Sequence, residues 1–209
     1  MAGNGKHENE GIWDSAAPGW AKWESALMGA AAEATEQMLD AANVEMGMKV
    51  LDLACGAGSQ TIQAAKRVGP TGRVVANDIA KKMLIFAKSN AADAGLTNVE
   101  TLHGPAEDLS ESGLRVDAAT CRLGLMLFQS PQDALAAVRS VLVENGRLAV
   151  LVVASPQDNL LFSRTMMIAL KHAGKTPPPP GSPGLFALSD PARLENLFQA
   201  AGYIDTRVE

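Results

Sequence analysis

Two cysteines in 209 residues cannot staple a fold, so this chain must be held by a hydrophobic core and not by a disulfide framework. Histidine is nearly as scarce. His7, His103 and His172 are far apart and show no paired ligand spacing, which argues against a zinc site, and no metal is expected. A basic stripe is also missing: the longest Lys/Arg runs are the pairs Lys66-Arg67 and Lys81-Lys82, and the net charge is −5. An obligate nucleic-acid binder would show the opposite balance, so no nucleic-acid partner is expected. No apolar stretch reaches the roughly 20 residues that cross a bilayer. The opening residues MAGNGKHENEG lack the apolar stretch of a signal peptide, and a cytoplasmic location is the expectation.

What is present suits one ordinary soluble domain, with 47% apolar and 20% charged residues. Residues 1–11, rich in Gly, Asn and Glu, read as a disordered start, with a single domain over 12–209. N-terminal helices are expected within 12–46. Trp13, Trp20 and Trp23 surround the breaker pair Pro18-Gly19, and an Ala-rich helix is expected from about 24 to 43.

From Lys49 onward, strands and helices alternate. The strands expected are 49–53, 73–78, 99–103, 116–121 and 148–153, with the last entered through an Asn145-Gly146 turn. Helices fall between them, the one after Ser130 carrying proline at its first position. Nearly continuous apolar strands separated by helices imply a parallel sheet covered on both faces, a doubly wound α/β fold. Residues 155–188, with a Met-rich helical piece and the run Pro177–Pro180, read as a cap inserted in that domain. A final helix from about Pro191 and a sixth strand from Tyr203 complete the reading.

The chemical signal lies where the first strand ends, in Val50-Leu51-Asp52-Leu53-Ala54-Cys55-Gly56-Ala57-Gly58. Glycines there let the backbone turn tightly and approach a ligand closely. In an open α/β sheet this is the edge where ligands bind. Asp52 sits in an apolar strand, where a carboxylate needs a cation or donors as partners, such as the ammonium of an amino-acid moiety. Asp78 ends the second strand, at the position where an acid can accept both hydroxyls of a ribose; a helix N-cap is the alternative role.

The ordered runs VLDLACGAG, VVANDIAKKM, HGPAEDL, VDAATCRLGLMLF and VLVENGRLAV resemble the successive motifs of class I methyltransferases, nearest to the ubiquinone/menaquinone-biosynthesis-like branch. The likeness covers about 48–155, with a weaker echo in LSDPARLENLFQAAGY. It implies a Rossmann-like fold, S-adenosylmethionine as cofactor and a small-molecule methyl acceptor. In that family's terms the turn of Ala54, Gly56 and Gly58 would lie against the methionine and ribose, with Asp52 supporting the amino group. Asp78 would take the ribose hydroxyls, Ile79 and Met83 would pack near the adenine, and Ala106 and Glu107 would border its edge. Cys121 and Arg122 would lie beside the methionine, facing the substrate opening.

Pro105 departs from the family, which commonly has an Asp there. The family fold has seven strands and this sequence supplies six, leaving a sheet edge that invites a homo-oligomer. No catalytic base stands out: His103 and His172 have structural or surface readings, and Cys55 and Cys121 read as buried thiols. The three tryptophans would either close over the cofactor or pack a helix onto the sheet. Two other readings stay open. One is a cofactor-binding but inactive or regulatory domain. The other is a nicotinamide-dependent dehydrogenase, which fits less well because Thr61 stands where its third glycine belongs.

Overall fold

In the computed structural model, which describes residues 3–29, 31–177, 179 and 181–209, five strands form one sheet. They are β1 (Lys49–Leu53), β2 (Arg73–Asp78), β3 (Val99–His103), β4 (Val116–Arg122) and β5 (Leu142–Leu151). Their order is β3-β2-β1-β4-β5 and every pairing is parallel. The helices are α1 (Gly3–Gly29), α2 (Ala32–Ala41), α3 (Ser59–Val68), α4 (Lys81–Asp93), α5 (Pro131–Val141), α6 (Leu160–His172) and α7 (Pro191–Ala200). A 3-10 turn at Ala106–Glu111 precedes β4.

Successive side chains of a strand face opposite ways, so a two-sided sheet needs two cores. Leu51, Leu53 and Ala119 pack with Leu135, Val138 and Val141 of α5 on one face. Val50, Val74 and Ala118 pack with Leu39 of α2 and Ala64, Ala65 and Val68 of α3 on the other. The central strands are therefore almost wholly buried, whereas β3 and β5 at the edges are partly exposed.

The N-terminus is more ordered than its composition suggests. Helix α1 starts at Gly3, inside the stretch expected to be disordered, and runs through Pro18 instead of breaking there. Its polar residues find partners: the Asp14 carboxylate accepts from the Lys82 N–H at 2.9 Å, and Glu10 meets His103 at 3.2 Å. Fully buried Ala17 anchors its middle against Ala80 and Met83. The single helix expected over 24–43 is divided between α1 and α2.

Two strand expectations are corrected. The Asn145-Gly146 pair does not turn into β5 but lies within it, as a bulge with Asn145 at φ +63°, and the strand starts at Leu142. The sixth strand does not form. After α7, Tyr203 is anchored on α5, its hydroxyl donating to the Leu135 carbonyl at 3.0 Å and its ring packing on Phe198. The chain then turns at Asp205 (φ +53°) and leaves Ile204 85% exposed. Among the described residues β5 therefore keeps one unpaired side.

Within the region read as a cap, α6 has no buried residue and exposes Leu161 and Ile168. Pro178 and Pro180 of the proline run lie outside the described residues. Among the described residues no helix is long and apolar enough to cross a membrane.

Candidate functional site

All five strands point their C-terminal ends the same way, and the chain reverses its winding between β1 and β4. That reversal opens a crevice. A cleft of about 1030 Å³, partly open to solvent, lies at this edge. Ala54 (φ +49°) and Leu123 (φ +60°) follow the two strands in the left-handed region, which costs a non-glycine residue about 1–3 kcal/mol each and is common at functional sites. Their loops touch: a Cβ on Gly124 would sit 2.5 Å from that of Ala54.

The two glycines of the turn do different work. Gly56 (φ +56°) forms part of the cleft wall, and a Cβ there would lie 3.1 Å from Trp20 Nε1. Gly58 (φ +96°) is away from the wall. A Cβ there would lie 2.9 Å from Ala87 Cα, so its absence lets α3 and α4 pack closely.

Asp78 combines both roles open to it. It forms part of the cleft wall, while one oxygen accepts from the Gly56 N–H at 3.0 Å and the other from the Ala80 N–H at 2.8 Å. Each oxygen retains a lone pair for a ligand hydroxyl. Burial pushes this carboxyl above the ordinary carboxylate range, against the pull of those two amides. Asn77 beside it donates to the carbonyls of Leu102 and Gly104, both at 3.0 Å, and so holds the loop carrying Pro105, Ala106 and Glu107 along the wall. Ile79 and Met83 supply apolar surface on the same side.

Beyond β1, the face toward α3 turns polar as the strands approach this edge. Val50 and Ala118 are followed by the paired Asp52 and Thr120, and then by Arg122. Arg122 donates to Thr35 Oγ1 of α2 at 2.9 Å and to Ser59 Oγ of α3, and burial lowers its affinity for the proton. Asp52 is fully buried beneath the wall, and one of its oxygens takes the Thr61 hydroxyl. Burial pushes its carboxyl up to about 8, opposed by Thr61 and the charge of Arg122. Among the described residues its other oxygen, both amide atoms of Gln60 and the Thr120 hydroxyl have no partner. Buried polar groups without partners are uncommon, and a cluster of them beside a cleft fits the polar end of a ligand.

The structure thus brings Ala54, Gly56, Asp78, Ile79, Met83, Ala106, Glu107 and Arg122 to one wall and leaves Asp52, Gly58 and Cys121 behind it. Burial raises both thiols, that of Cys121 to about 12. His103 Nε2 donates to the Glu10 carboxylate and the Ile79 carbonyl, tying α1 to the sheet. His172 is exposed on α6.

Helix α1 supplies residues that the motifs did not point to. Trp13, Trp20 and Glu24 line the cleft, with the two indoles edge to face at 6.1 Å, whereas Trp23 turns outward at 57% exposure. The spacing Trp13, Ala17, Trp20, Glu24 is one helical stripe, and its periodicity could have found Glu24. Gln60, in the first turn of α3, and Leu127, Phe128 and Gln129 after β4 also line the cleft. Leu127 and Phe128 end the VDAATCRLGLMLF run but carried no role in that reading, and no sequence signal marked Gln60 or Gln129.

Comparison with known proteins agrees with this fold. A family model described as a methyltransferase domain matches residues 44–176. The chain is 36% identical over 124 residues to the ubiquinone/menaquinone biosynthesis C-methyltransferase of Pseudomonas aeruginosa, covering 59% of this chain and 48% of that protein. The corresponding enzyme of Stutzerimonas stutzeri is 38% identical over 119 residues, covering 56% and 46%. The chain spans about half the length of these relatives. Among solved structures, a SAM-dependent methyltransferase from Aquifex aeolicus has a TM-score of 0.58 at 22% identity, covering 80% of this chain and 78% of its own. An O-methyltransferase, so described provisionally, from Nostoc punctiforme has a TM-score of 0.66 at 22% identity, covering 92% and 54%. These structures share the fold. With the family model matching well over half its length, the chain belongs to the methyltransferase-domain family.

Proposed function

We propose that this chain binds S-adenosylmethionine in the cleft and transfers its methyl group to a small, largely apolar acceptor. The observation that carries the reading is Asp78. A buried carboxylate at the end of β2 faces the same cleft as the glycine turn after β1, which matches the ribose-binding arrangement of this family. The unpartnered Gln60 amide, which lines the cleft, fits the cofactor's amino-acid end.

When bound, the cofactor supplies an electrophilic methyl carried on a sulfonium. The protein's part is then orientation and the exclusion of water. Asp78 would hold the ribose, and Ile79 and Met83 would pack on the adenine. Pro105 offers no N–H, so the adenine edge is left to Ala106 and Glu107. Trp13 and Trp20 on α1 would shield the reacting centre. Leu123, Leu127 and Phe128 give the acceptor an apolar surface beside Arg122, in keeping with a ring such as the relatives' name implies. Carbon methylation of a quinone-like ring is the acceptor chemistry we favour within that class.

Isothermal titration with S-adenosylhomocysteine, with NAD as control, tests this reading. Micromolar binding of the former alone, lost in Asp78→Ala, is expected. A folded protein that binds neither ligand would refute it, and binding without turnover on any ring acceptor would reduce it to a cofactor-binding domain.

A further inference from the structure

We propose that Glu24 and Gln60 form the clamp for the zwitterionic amino-acid end of the cofactor, with Glu24 accepting from the ammonium and the Gln60 amide donating to the carboxylate. The proposal rests on the cofactor reading above and assigns the ammonium to a residue on α1 and not to Asp52.

Both residues stand by the start of α3. A Glu24 oxygen lies 3.5 Å from the Ser59 N–H, and Gln60 is the next residue. Both line the cleft, with Glu24 6% and Gln60 2% exposed. Among the described residues neither atom of the Gln60 amide has a partner, so a donor and an acceptor stand ready in a place closed to bulk water. A carboxylate arriving there would also meet the first turn of α3, where the helix dipole favours negative charge.

Glu24 itself accepts from the Ser59 N–H and hydroxyl and from Trp20, and an arriving ammonium would join those donors on its carboxylate. The other charged groups are engaged as well. Asp52 is fully buried, does not line the cleft, and gives one oxygen to Thr61. The Arg122 guanidinium is held by Thr35 and Ser59 and acts as a fixed cation near Glu24. Asp78, on the far side of Gly56, is engaged by two backbone amides and suits a sugar. An ammonium entering the Gln60 end of the cleft would therefore meet Glu24 as its accessible carboxylate. Because Glu24 belongs to α1, the same contact would draw that helix down over the ligand.

The test compares S-adenosylhomocysteine with 5′-methylthioadenosine, which keeps the nucleoside and lacks the amino acid. Titration calorimetry on wild type, Glu24→Gln and Gln60→Leu should show the first ligand weakened about tenfold or more in each variant, the loss expected for a hydrogen bond to a charged group. The second ligand should stay within about twofold, since it makes neither contact. Glu24→Asp, one methylene short, should fall between wild type and Glu24→Gln, and it serves as the second variant should the first fold poorly. Equal weakening of both ligands would show that these residues merely support the cleft and would overturn the proposal. So would selective loss in Asp52→Asn with Glu24→Gln unaffected. Wild type that binds neither ligand would instead remove the cofactor reading on which the proposal stands.

Discussion

Asp52 makes the energetics of the site measurable without any ligand. Its ordinary value is 3.8, and burial raises it to about 8 in the folded chain. Between those values the folded state keeps a proton that the unfolded chain has released. Unfolding then becomes easier as pH rises, by about 1.4 kcal/mol per pH unit for this one group, and the effect levels off above its folded value. From pH 5 to pH 7 that amounts to about 2–3 kcal/mol. Asp52→Asn keeps an acceptor for the Thr61 hydroxyl and abolishes the titration. Urea unfolding of both proteins at pH 5, 6 and 7 should show the stability difference shifting toward the variant by that amount. Glu24 and Asp78, whose carboxyls are also raised by burial, push the same way but are present in both proteins and cancel in the difference. A difference that does not move with pH would mean that Asp52 is ionised in the fold at an ordinary value, and the argument from burial would fail.

Gly58→Ala should destabilise the chain by about 1–3 kcal/mol, because the residue sits at φ +96° and its Cβ would press on the Ala87 backbone; the urea midpoint reports it, and an unchanged midpoint would show that α4 yields freely. Cys55 and Cys121 are buried with raised thiols, so a thiol reagent at pH 8 should label neither in the folded protein and both in denaturant. Fast labelling of either in the native state would contradict the packing at the ends of β1 and β4.

The parallel sheet was legible because its three inner strands are buried on both faces and so are mostly apolar, a pattern that Val50–Leu53, Val74–Ala76 and Ala118–Cys121 display apart from Asp52 and Thr120. The edges were harder. Asn145-Gly146 carries strong turn chemistry, yet a bulge uses the same left-handed backbone without ending the strand. Tyr203 looks like the start of a strand, but its hydroxyl and ring are taken by α5 and α7. The polar opening of α1 looked disordered because its partners, Lys82 and His103, lie 68 and 93 residues away in the chain. Pairings of that kind leave no local trace.

The site shows the same division between local and distant information. A glycine turn and an acid at the next strand end are local features, so Gly56 and Asp78 could be placed from the sequence. Asp52 was just as visible, but its visibility came from being charged in an apolar strand, and depth in the sheet is what separates a ligand contact from a buried acid. At 0% exposure, burial raises the Asp52 carboxyl toward its neutral form. A neutral Asp52 leaves Arg122 as the fixed cation at this end of the cleft, with Glu24 as the carboxylate that faces both it and the open space. The pH dependence of Asp52 and the ligand discrimination of Glu24 are thus linked. Should Asp52 prove ionised at neutral pH, the Arg122 charge would be shared between two carboxylates, and the case for Glu24 as the partner of an incoming ammonium would weaken with it.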